Sequence, residues 1–521
     1  MKFFQTGFNT KGRTANVVRN INVSLICQLI NTIMGFVSRS VFIKLLGETY
    51  LGVNGIFGNI LTILNFAELG IGTAIVYNLY KPLKEHDEEL IGALVNFYKK
   101  AYLAIGTVIA GVGLAIAPFL NYLIKDQPDV KESIYLLYIL FLASTVVSYF
   151  NAHKKSLLSA DQRSHITNIY HQVAHTIQIL LQVVFLYLTH NYVLYLVIQI
   201  TSHIIENVLV AREADRIYPF LKNYKNSKLE KGIVKSIKKD VGALTIYKLN
   251  HAVIHGTDNV LIAAILDKGV QLAGRYANYT LISETINTIL GIITNALTPS
   301  IGNLNTETDI KKKEGIFNTT LFVSAWTYGF ACSGIMALSK SFISVWVGPQ
   351  YALDTLVVFA VALQLYIRQV HYAAYTYRVT CGLFVQSKYV PIFTTLINLG
   401  LSIYLGKLWG LFGILFATSI ARIFTIGISD PFLVYKHVFK KTPIVYYLRY
   451  FLYTALVILC YFVSSFVIGK IVIEGWIGFL INIIIFSLVF NILFVLLTFK
   501  FKEFEYIKNI GLRYVKKLIR R

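Results

Sequence analysis

Three arginines, Arg39, Arg368 and Arg422, lie well inside apolar stretches of the sequence. A charged side chain near the centre of a bilayer costs about 3 kcal/mol or more unless it is paired or hydrated. A guanidinium group also presents a planar fork of N–H donors that suits the oxygens of phosphates and carboxylates. The three arginines therefore predict a hydrated site inside a membrane that attracts anions.

Other polar residues recur at helical spacing in the same apolar stretches, so that they share helix faces. The stripes are Gln28, Thr32, Gly35 and Arg39; His171, His175, Gln178 and Gln182; Lys248, His251, His255 and Asp258; Glu284, Thr288 and Asn295; Gln364, Arg368, His371 and Tyr375; and Thr418, Arg422 and Thr425. Because such faces cannot lie against hydrocarbon, they predict a hydrated cavity of net positive charge. Lys248 and His255 would add positive charge there, whereas Glu68, Asp258 and Glu284 are its candidate carboxylates.

A structural role stays open for several of these residues. A lone His or Gln inside a membrane more often makes an interhelical hydrogen bond than it binds a ligand, which applies to His171 and His175. Lys248 lies close enough to a helix end to reach the interface. The arginines could also form ion pairs with the three carboxylates. The stripes predict polar contacts in each case, and a cavity is the interpretation we favour for the arginines.

The motifs of common enzyme classes are missing from the sequence. The His and Asp residues at 251–258 lack the HExxH spacing of a metalloprotease, and there is no GxxxxGK[ST] loop for a nucleotide. The four cysteines lie in apolar stretches without paired spacing, which argues against disulfides and zinc. We therefore expect no catalytic residue, metal or cofactor, and a transporter driven by an ion gradient such as Na⁺ or H⁺, by the membrane potential or by the substrate gradient.

The elements that carry these residues are predicted to be membrane helices. Hydrophobic residues make up 55% of the 521 positions and charged residues 14%, and the mean hydropathy is +0.60. About 20 apolar residues suffice for a helix to cross a bilayer. The pattern predicts an all-α integral membrane protein with 14 transmembrane helices. We expect no cleaved signal peptide, because the first 20 residues are polar and basic.

The distribution of basic residues predicts the orientation of the chain. Of the 49 Lys and Arg residues, 37 fall at the two termini and in the even-numbered connections, and 6 fall in the opposite connections. By the positive-inside rule both termini are then cytoplasmic. The net charge of +23 is explained by topology and by attraction to anionic lipids, so no nucleic acid partner is expected.

The longest hydrophilic segment, 212–240, divides six predicted helices from eight. The predicted organisation is an N-terminal lobe at 1–211 with helices 1–6, a basic cytoplasmic linker at 212–240 and a C-terminal lobe at 241–436 with helices 7–12. Helices 13 and 14 follow at 437–500 and a basic cytoplasmic tail at 501–521. A weak internal similarity between the two lobes suggests a site between them.

With this layout the chain resembles the bacterial polysaccharide-lipid (O-antigen) flippases of the multidrug/oligosaccharidyl-lipid/polysaccharide exporter superfamily. The likeness rests on six plus six plus two helices and on short patterns. These are Arg39 followed by the Leu46-Gly47 corner and Tyr50-Leu51-Gly52, and Thr257-Asp258-Asn259 followed by Ile265-Leu266. It implies a V-shaped, two-lobed transporter in the bacterial cytoplasmic membrane. Only Arg39 and the Asp258-Asn259 pair match a pattern that can be carried over.

The resemblance also implies a substrate, an undecaprenyl-pyrophosphate-linked oligosaccharide that is moved across the membrane by alternating access for polysaccharide biosynthesis. Arg39, Arg368 and Arg422 would contact the pyrophosphate, and Glu68, Asp258 and Glu284 are candidates for ion or proton coupling. Membrane lipids, a polysaccharide polymerase and chain-length machinery are the partners to expect. Two alternatives remain, a multidrug or cation exporter of the same superfamily and, less favoured, a membrane-embedded glycan polymerase or ligase.

Overall fold

A computed structural model of the chain describes residues 10–65, 76, 78–224, 227–235, 237, 257–304, 309–383, 386–471 and 473–509. Side chains are described over the same ranges except at 10–26 and 292–304. Within these ranges every regular element is a helix. The all-α fold class predicted from composition is therefore confirmed.

The main helices are numbered here in chain order. They are α1 (Thr10–Leu64), α2 (Glu88–Ile116), α3 (Ile134–Ser148), α4 (Ala152–Ala160), α5 (Ser164–Thr189), α6 (Tyr192–Ile217), α7 (Gly269–Leu304), α8 (Ile310–Trp346), α9 (Thr355–Val370), α10 (Tyr372–Thr380), α11 (Val390–Phe424), α12 (Ile426–Val434), α13 (Ile444–Gly469) and α14 (Gly475–Thr498). Helical turns also occur at 78–85, 257–265 and 502–509.

Nine helices of the described ranges are long and apolar enough to cross a membrane, or ten if the bent pair α3 and α4 forms one span. Two of the nine contain a break in the backbone, at Gly47 in α1 and at Gly410 in α11. The break at Gly47 falls at the corner predicted from the sequence, and the break at Gly410 lies next to the predicted connection at 407–408, between helices predicted at 389–406 and 409–436. Predicted helix 7, at 241–266, lies mostly outside the described residues, so the count of fourteen stays a prediction. The chain is a multi-pass membrane protein.

The chain divides into two compact units, Met1–Gly274 and Arg275–Arg521. In the first unit, aromatic side chains join the second half of α1 to α3. The Phe57 ring packs edge-on against Tyr138 and Phe141, with centroids 5.4 and 5.7 Å apart. The Tyr138 hydroxyl donates to the Gly113 carbonyl of α2 at 3.0 Å. These contacts fix three helices around one buried aromatic cluster.

The second half of α1 also lies against the start of α7 with almost no side chain between the two backbones. A Cβ atom on Gly52 would stand 1.8 Å from the carbonyl oxygen of Val270. One on Gly274 would stand 2.1 Å from the carbonyl oxygen of Glu48. The two glycines therefore permit an approach that no other residue would allow.

The loop after α2 is held on the segment just before α7. The Lys125 ammonium donates to Asp267 at 2.7 Å, and the Lys268 amide donates to Asp126 at 2.7 Å. Its hydrogen bond to Asp267 raises the pKa of Lys125, and the same contact lowers the pKa of the Asp267 carboxyl. Both shifts favour the charged forms, so the pair stays ionised at neutral pH.

In the second unit, α8 packs against both C-terminal helices. The Trp326 ring of α8 stacks on Phe494 of α14 at 5.5 Å, and its Nε1 donates to Asn491 at 2.9 Å. Phe322 of α8 packs edge-on against Tyr453 of α13 at 5.5 Å. The opposite face of α14 is a stripe of exposed apolar side chains, as expected of a surface that meets lipid.

Candidate functional site

Glu206 of α6 is the centre of a charged cluster in the first unit. Its carboxylate accepts from Lys155 of α4 at 2.6 Å and lies 3.0 Å from Nδ1 of His171 on α5. His171 stacks on His175 with ring centroids 5.6 Å apart, and Nδ1 of His175 is 3.1 Å from Oδ1 of Asn31 on α1. The stripe predicted on α5 therefore joins three neighbouring helices through polar contacts.

Sequence reasoning missed Glu206 and Lys155 as members of this cluster. The signal for Glu206 was a carboxylate inside the predicted sixth helix, at 192–211. Lys155 falls in a basic stretch that the sequence assigns to a connection, so its inward contact depends on helix packing. Glu206 explains how His171, whose side chain is 51% exposed, is tied to α6 and through Lys155 to α4.

Arg39 lies in the first half of α1. Its Nη1 atom is buried and has no hydrogen-bond partner among the described residues. The ring of Tyr195 packs edge-on against Phe42, one turn further along α1, with centroids 5.4 Å apart. A buried donor left without an acceptor costs about 1–3 kcal/mol, which a bound anion would offset. The position of Arg39 suits an anion-binding role.

Arg368 and Glu284 form an ion pair in the second unit. Nη2 of Arg368 is 3.0 Å from Oε1 of Glu284. Oε2 of Glu284 accepts from Asn287 at 3.0 Å, and Oδ1 of Asn287 accepts from Gln369 at 2.5 Å. These four side chains connect α7 to α9.

The Arg368–Glu284 pair is also accessible. Arg368 lies inside a candidate membrane span, Thr355–Thr380, and its side chain is 23% exposed, whereas the side chain of Glu284 is 56% exposed. An exposed ion pair at this depth cannot face hydrocarbon. This exposure is consistent with the hydrated site that the sequence predicts.

A second charged network in this unit is fully buried. Nε of Arg378 is 2.9 Å from Oδ1 of Asp430, and the two side chains are only 6% and 2% exposed. Nε2 of His371 lies 3.4 Å from the other Asp430 oxygen, and Nη1 of Arg378 donates to Ser387 at 2.8 Å. His371, which the sequence placed on a cavity-lining stripe, belongs to this network. Asp430 and Arg378 were missed, although an aspartate within the predicted twelfth helix was a signal.

Arg422 lies in the second half of α11, which folds back on the first half after Gly410. The Thr394 and Thr425 hydroxyl oxygens are 2.7 Å apart, and Asn398 donates to Thr418 at 2.8 Å. These hydrogen bonds hold the two halves of α11 together. Arg422, which lies between Thr418 and Thr425 in the sequence, is half-buried.

The predicted site residues are distributed over both units. Arg39 and Asp258 lie in the first unit, and Arg368, Glu284 and Arg422 lie in the second, where Arg368 and Glu284 are in contact. The predictions for Lys248, His255 and Glu68 fall outside the described residues. In the part of the chain that is described, no group of three or more His, Cys, Asp or Glu side chains is arranged to hold a metal.

Asp258 is buried in the helical turn at 257–265, with 8% of the residue exposed. Its neighbour Asn259 is equally buried, and the Asn259 amide nitrogen would lie 3.3 Å from a Cβ atom on Gly55 of α1. The Asp258-Asn259 pair is therefore packed at the contact between this turn and α1.

Residues 17–304 match the family described as polysaccharide biosynthesis protein, which is more than half of the 521 residues. The chain belongs to this family. The match spans α1 through α7 and so includes Arg39, the Glu206 cluster, Asp258 and Glu284. The family that the sequence resembles is thereby confirmed at the level of polysaccharide biosynthesis.

Solved structures share the fold of this polysaccharide biosynthesis protein. One is the lipid II flippase MurJ in an inward closed conformation, with a TM-score of 0.64, 16% identity, and coverage of 92% of this chain and 99% of that one. A second is an inward-facing multidrug resistance MATE family transporter of the MOP superfamily, with a TM-score of 0.61, 14% identity, and coverage of 79% and 96%. A third is a MOP superfamily transporter from Pyrococcus furiosus, with a TM-score of 0.52, 14% identity, and coverage of 80% and 94%. Comparison with curated protein sequences gives no match.

Proposed function

We propose that this member of the polysaccharide biosynthesis family is a flippase. Its substrate would be an undecaprenyl-pyrophosphate-linked oligosaccharide, which it moves across the bacterial cytoplasmic membrane by alternating access. The observation that carries the proposal is the accessible Arg368–Glu284 pair inside a membrane span, in a chain of this family. A hydrated charged surface at that depth suits a polar substrate that must cross the bilayer.

A pyrophosphate head group explains why the cations are arginines. Its charge makes passage through hydrocarbon too costly, whereas guanidinium groups bind phosphate oxygens in a two-pronged geometry. Arg39 has a buried donor without a partner among the described residues, and Arg368 and Arg422 supply further guanidinium groups. Lys248 and His255 would add positive potential. The lipid tail would stay in the membrane while the head group and sugars pass along the polar faces.

The proposed flippase also needs an energy source and a defined orientation in the membrane. Glu68, Asp258 and Glu284 are the carboxylates proposed to respond to Na⁺, to H⁺ or to the membrane potential. The excess of basic residues at the termini and even-numbered connections supports a cytoplasmic position for both termini. A polymerase and chain-length machinery would then receive the sugar chain on the outer side.

A second candidate is a multidrug or cation exporter. The exposed carboxylate of Glu284 could hold a cation, and the MATE family transporter named above shares the fold. We favour the flippase because Glu284 is already neutralised by Arg368 and because Arg39 and Arg422 have the wrong sign for a cationic drug.

The role of Arg39 can be tested in cells whose chromosomal copy of the gene is deleted. We expect Arg39→Ala to reduce surface polysaccharide to the level of the deletion strain while the protein stays in the membrane. Arg216→Ala is the matched control, because Arg216 at the end of α6 is 68% exposed, and this variant should restore normal polymer. Normal surface polysaccharide with Arg39→Ala would refute the proposed role of Arg39.

A further inference from the structure

We propose that Glu284 is an internal anion, one that occupies Arg368 until a diphosphate displaces it. This inference rests on the proposed function, because it concerns how the same site accepts its anionic substrate. It assigns Glu284 a role in selecting the substrate, in place of a role in ion coupling alone.

The ion pair uses only one nitrogen of the guanidinium group of Arg368, whose side chain is 23% exposed. The contact between them is a single one, Nη2 to Oε1 at 3.0 Å, and the Nε of Arg368 is buried without a hydrogen-bond partner among the described residues. A carboxylate that uses the full fork would make two parallel hydrogen bonds. A ligand with two or more suitably spaced oxygens can therefore make contacts with Arg368 that Glu284 does not make.

Glu284 can leave Arg368 at little cost. More than half of its side chain is exposed, so the carboxylate remains hydrated after it moves away. Its second oxygen accepts from Asn287, and Gln369 in turn donates to Asn287. These amides hold the carboxylate on the α7 side when the arginine turns to another anion.

The arrangement favours anions that bind in a two-pronged manner over anions that make one contact. A monovalent anion offers Arg368 no more than Glu284 already offers, whereas a diphosphate offers more oxygens and more charge. Removal of the Glu284 charge should therefore strengthen binding of every anion at Arg368 and reduce the preference for diphosphate over phosphate. A purely structural role for Glu284 would not change this ratio.

The test uses the purified full-length protein in nanodiscs, with inorganic pyrophosphate and inorganic phosphate as the probes in calorimetric titrations. Glu284→Gln removes the charge, keeps the shape and can still accept from Asn287. We expect it to bind pyrophosphate about tenfold more tightly than the unmodified protein, which corresponds to about 1.4 kcal/mol. We also expect a smaller ratio of pyrophosphate to phosphate affinity.

Two further variants locate the effect. Arg368→Gln, alone or combined with Glu284→Gln, should bind pyrophosphate more weakly than the unmodified protein. Glu314→Gln is the matched control, because Glu314 is a carboxylate of the same unit that pairs with Lys441 at 2.6 Å and lies far along the chain from Arg368. It changes the net charge by the same amount and should leave pyrophosphate binding unchanged.

The outcomes separate this inference from the proposed function. If the unmodified protein binds pyrophosphate and Glu284→Gln binds it no more tightly, the internal-anion role is wrong while the flippase proposal stands. If neither the unmodified protein nor Glu284→Gln binds pyrophosphate at all, the proposal of an anionic head group as substrate is wrong. Should Glu284→Gln fail to fold, Glu284→Asp replaces it. Its carboxylate is withdrawn by one methylene group, so it must also bind pyrophosphate more tightly than the unmodified protein, and equal or weaker binding would overturn the inference.

Discussion

Arg39 and Arg378 are both arginines of apolar helices, but their surroundings differ. Arg378 is in contact with the buried carboxylate of Asp430, which also lies near His371. Arg39 has a buried Nη1 atom without a hydrogen-bond partner among the described residues. A buried charge with its partner supports packing, whereas a buried donor without one suits a ligand. Substitution of the two arginines by alanine should therefore change the stability of the protein by different amounts.

We expect Arg378→Ala to destabilise the protein strongly, because it leaves the Asp430 carboxylate buried and uncompensated. Loss of one partner of such a pair costs about 3–5 kcal/mol. Arg39→Ala removes a charge that has no such partner among the described residues, and it should leave thermal unfolding in detergent nearly unchanged. The measurement is the midpoint of thermal unfolding for both variants and for the unmodified protein. Equal midpoints for the two variants would contradict the separate roles.

At the level of single residues, the sequence predicted which positions are polar but not what they contact. The spacing of His171 and His175 placed them on one face of α5, and the structure has them stacked there. Spacing along one helix contains no information about the neighbouring helix, so Glu206 and Asp430 were missed as partners. Both partners come from parts of the chain far from the stripes that they contact.

At the level of helices, hydropathy predicted where most of the observed helices lie in the sequence. The corner at Gly47 coincides with a predicted helix end and the break at Gly410 lies next to one, because glycine and polar residues interrupt the apolar runs there. Hydropathy did not predict which helices pack against each other. One face of each of the two last helices, α13 and α14, packs on α8, with Trp326 against Phe494 as one contact. That face is apolar like the lipid-facing one, so hydropathy alone does not separate them.

The contact between the second half of α1 and the start of α7 makes a prediction about Gly52. Gly52→Ala would place a Cβ atom 1.8 Å from the Val270 carbonyl oxygen, so one backbone must shift. We expect a loss of about 1–3 kcal/mol in stability, as for other overpacked sites. The measurement is thermal unfolding in detergent.

Gly58→Ala is the matched control for this prediction. Gly58 lies in the same helix, and its Cβ position has no neighbouring atom within 4 Å. Since alanine favours helices over glycine by about 0.5–1 kcal/mol, this variant should be neutral or slightly stabilised. A Gly52→Ala protein as stable as Gly58→Ala would show that the two backbones are not in close contact.

At the level of the whole molecule, composition and charge pattern predicted a helical, multi-pass membrane protein, and the family match supports its place in polysaccharide biosynthesis. The lobes at 1–211 and 241–436 remain a prediction. The direction of transport and the sugar chain depend on the partner lipid, which hydropathy and helical spacing do not encode. The proposed function therefore depends on whether a lipid-linked diphosphate is the cargo.

The measurement that tests this most directly is translocation in proteoliposomes. Purified protein is reconstituted with a fluorescent undecaprenyl-pyrophosphate-linked oligosaccharide, and an impermeant sugar-modifying enzyme reports which leaflet holds it. We predict that the protein exposes the lipid from the inner leaflet to the enzyme, and that Arg39→Ala does so at the rate of protein-free liposomes. Transport of a lipophilic cation with no movement of the lipid-linked oligosaccharide would contradict the account and favour the multidrug exporter.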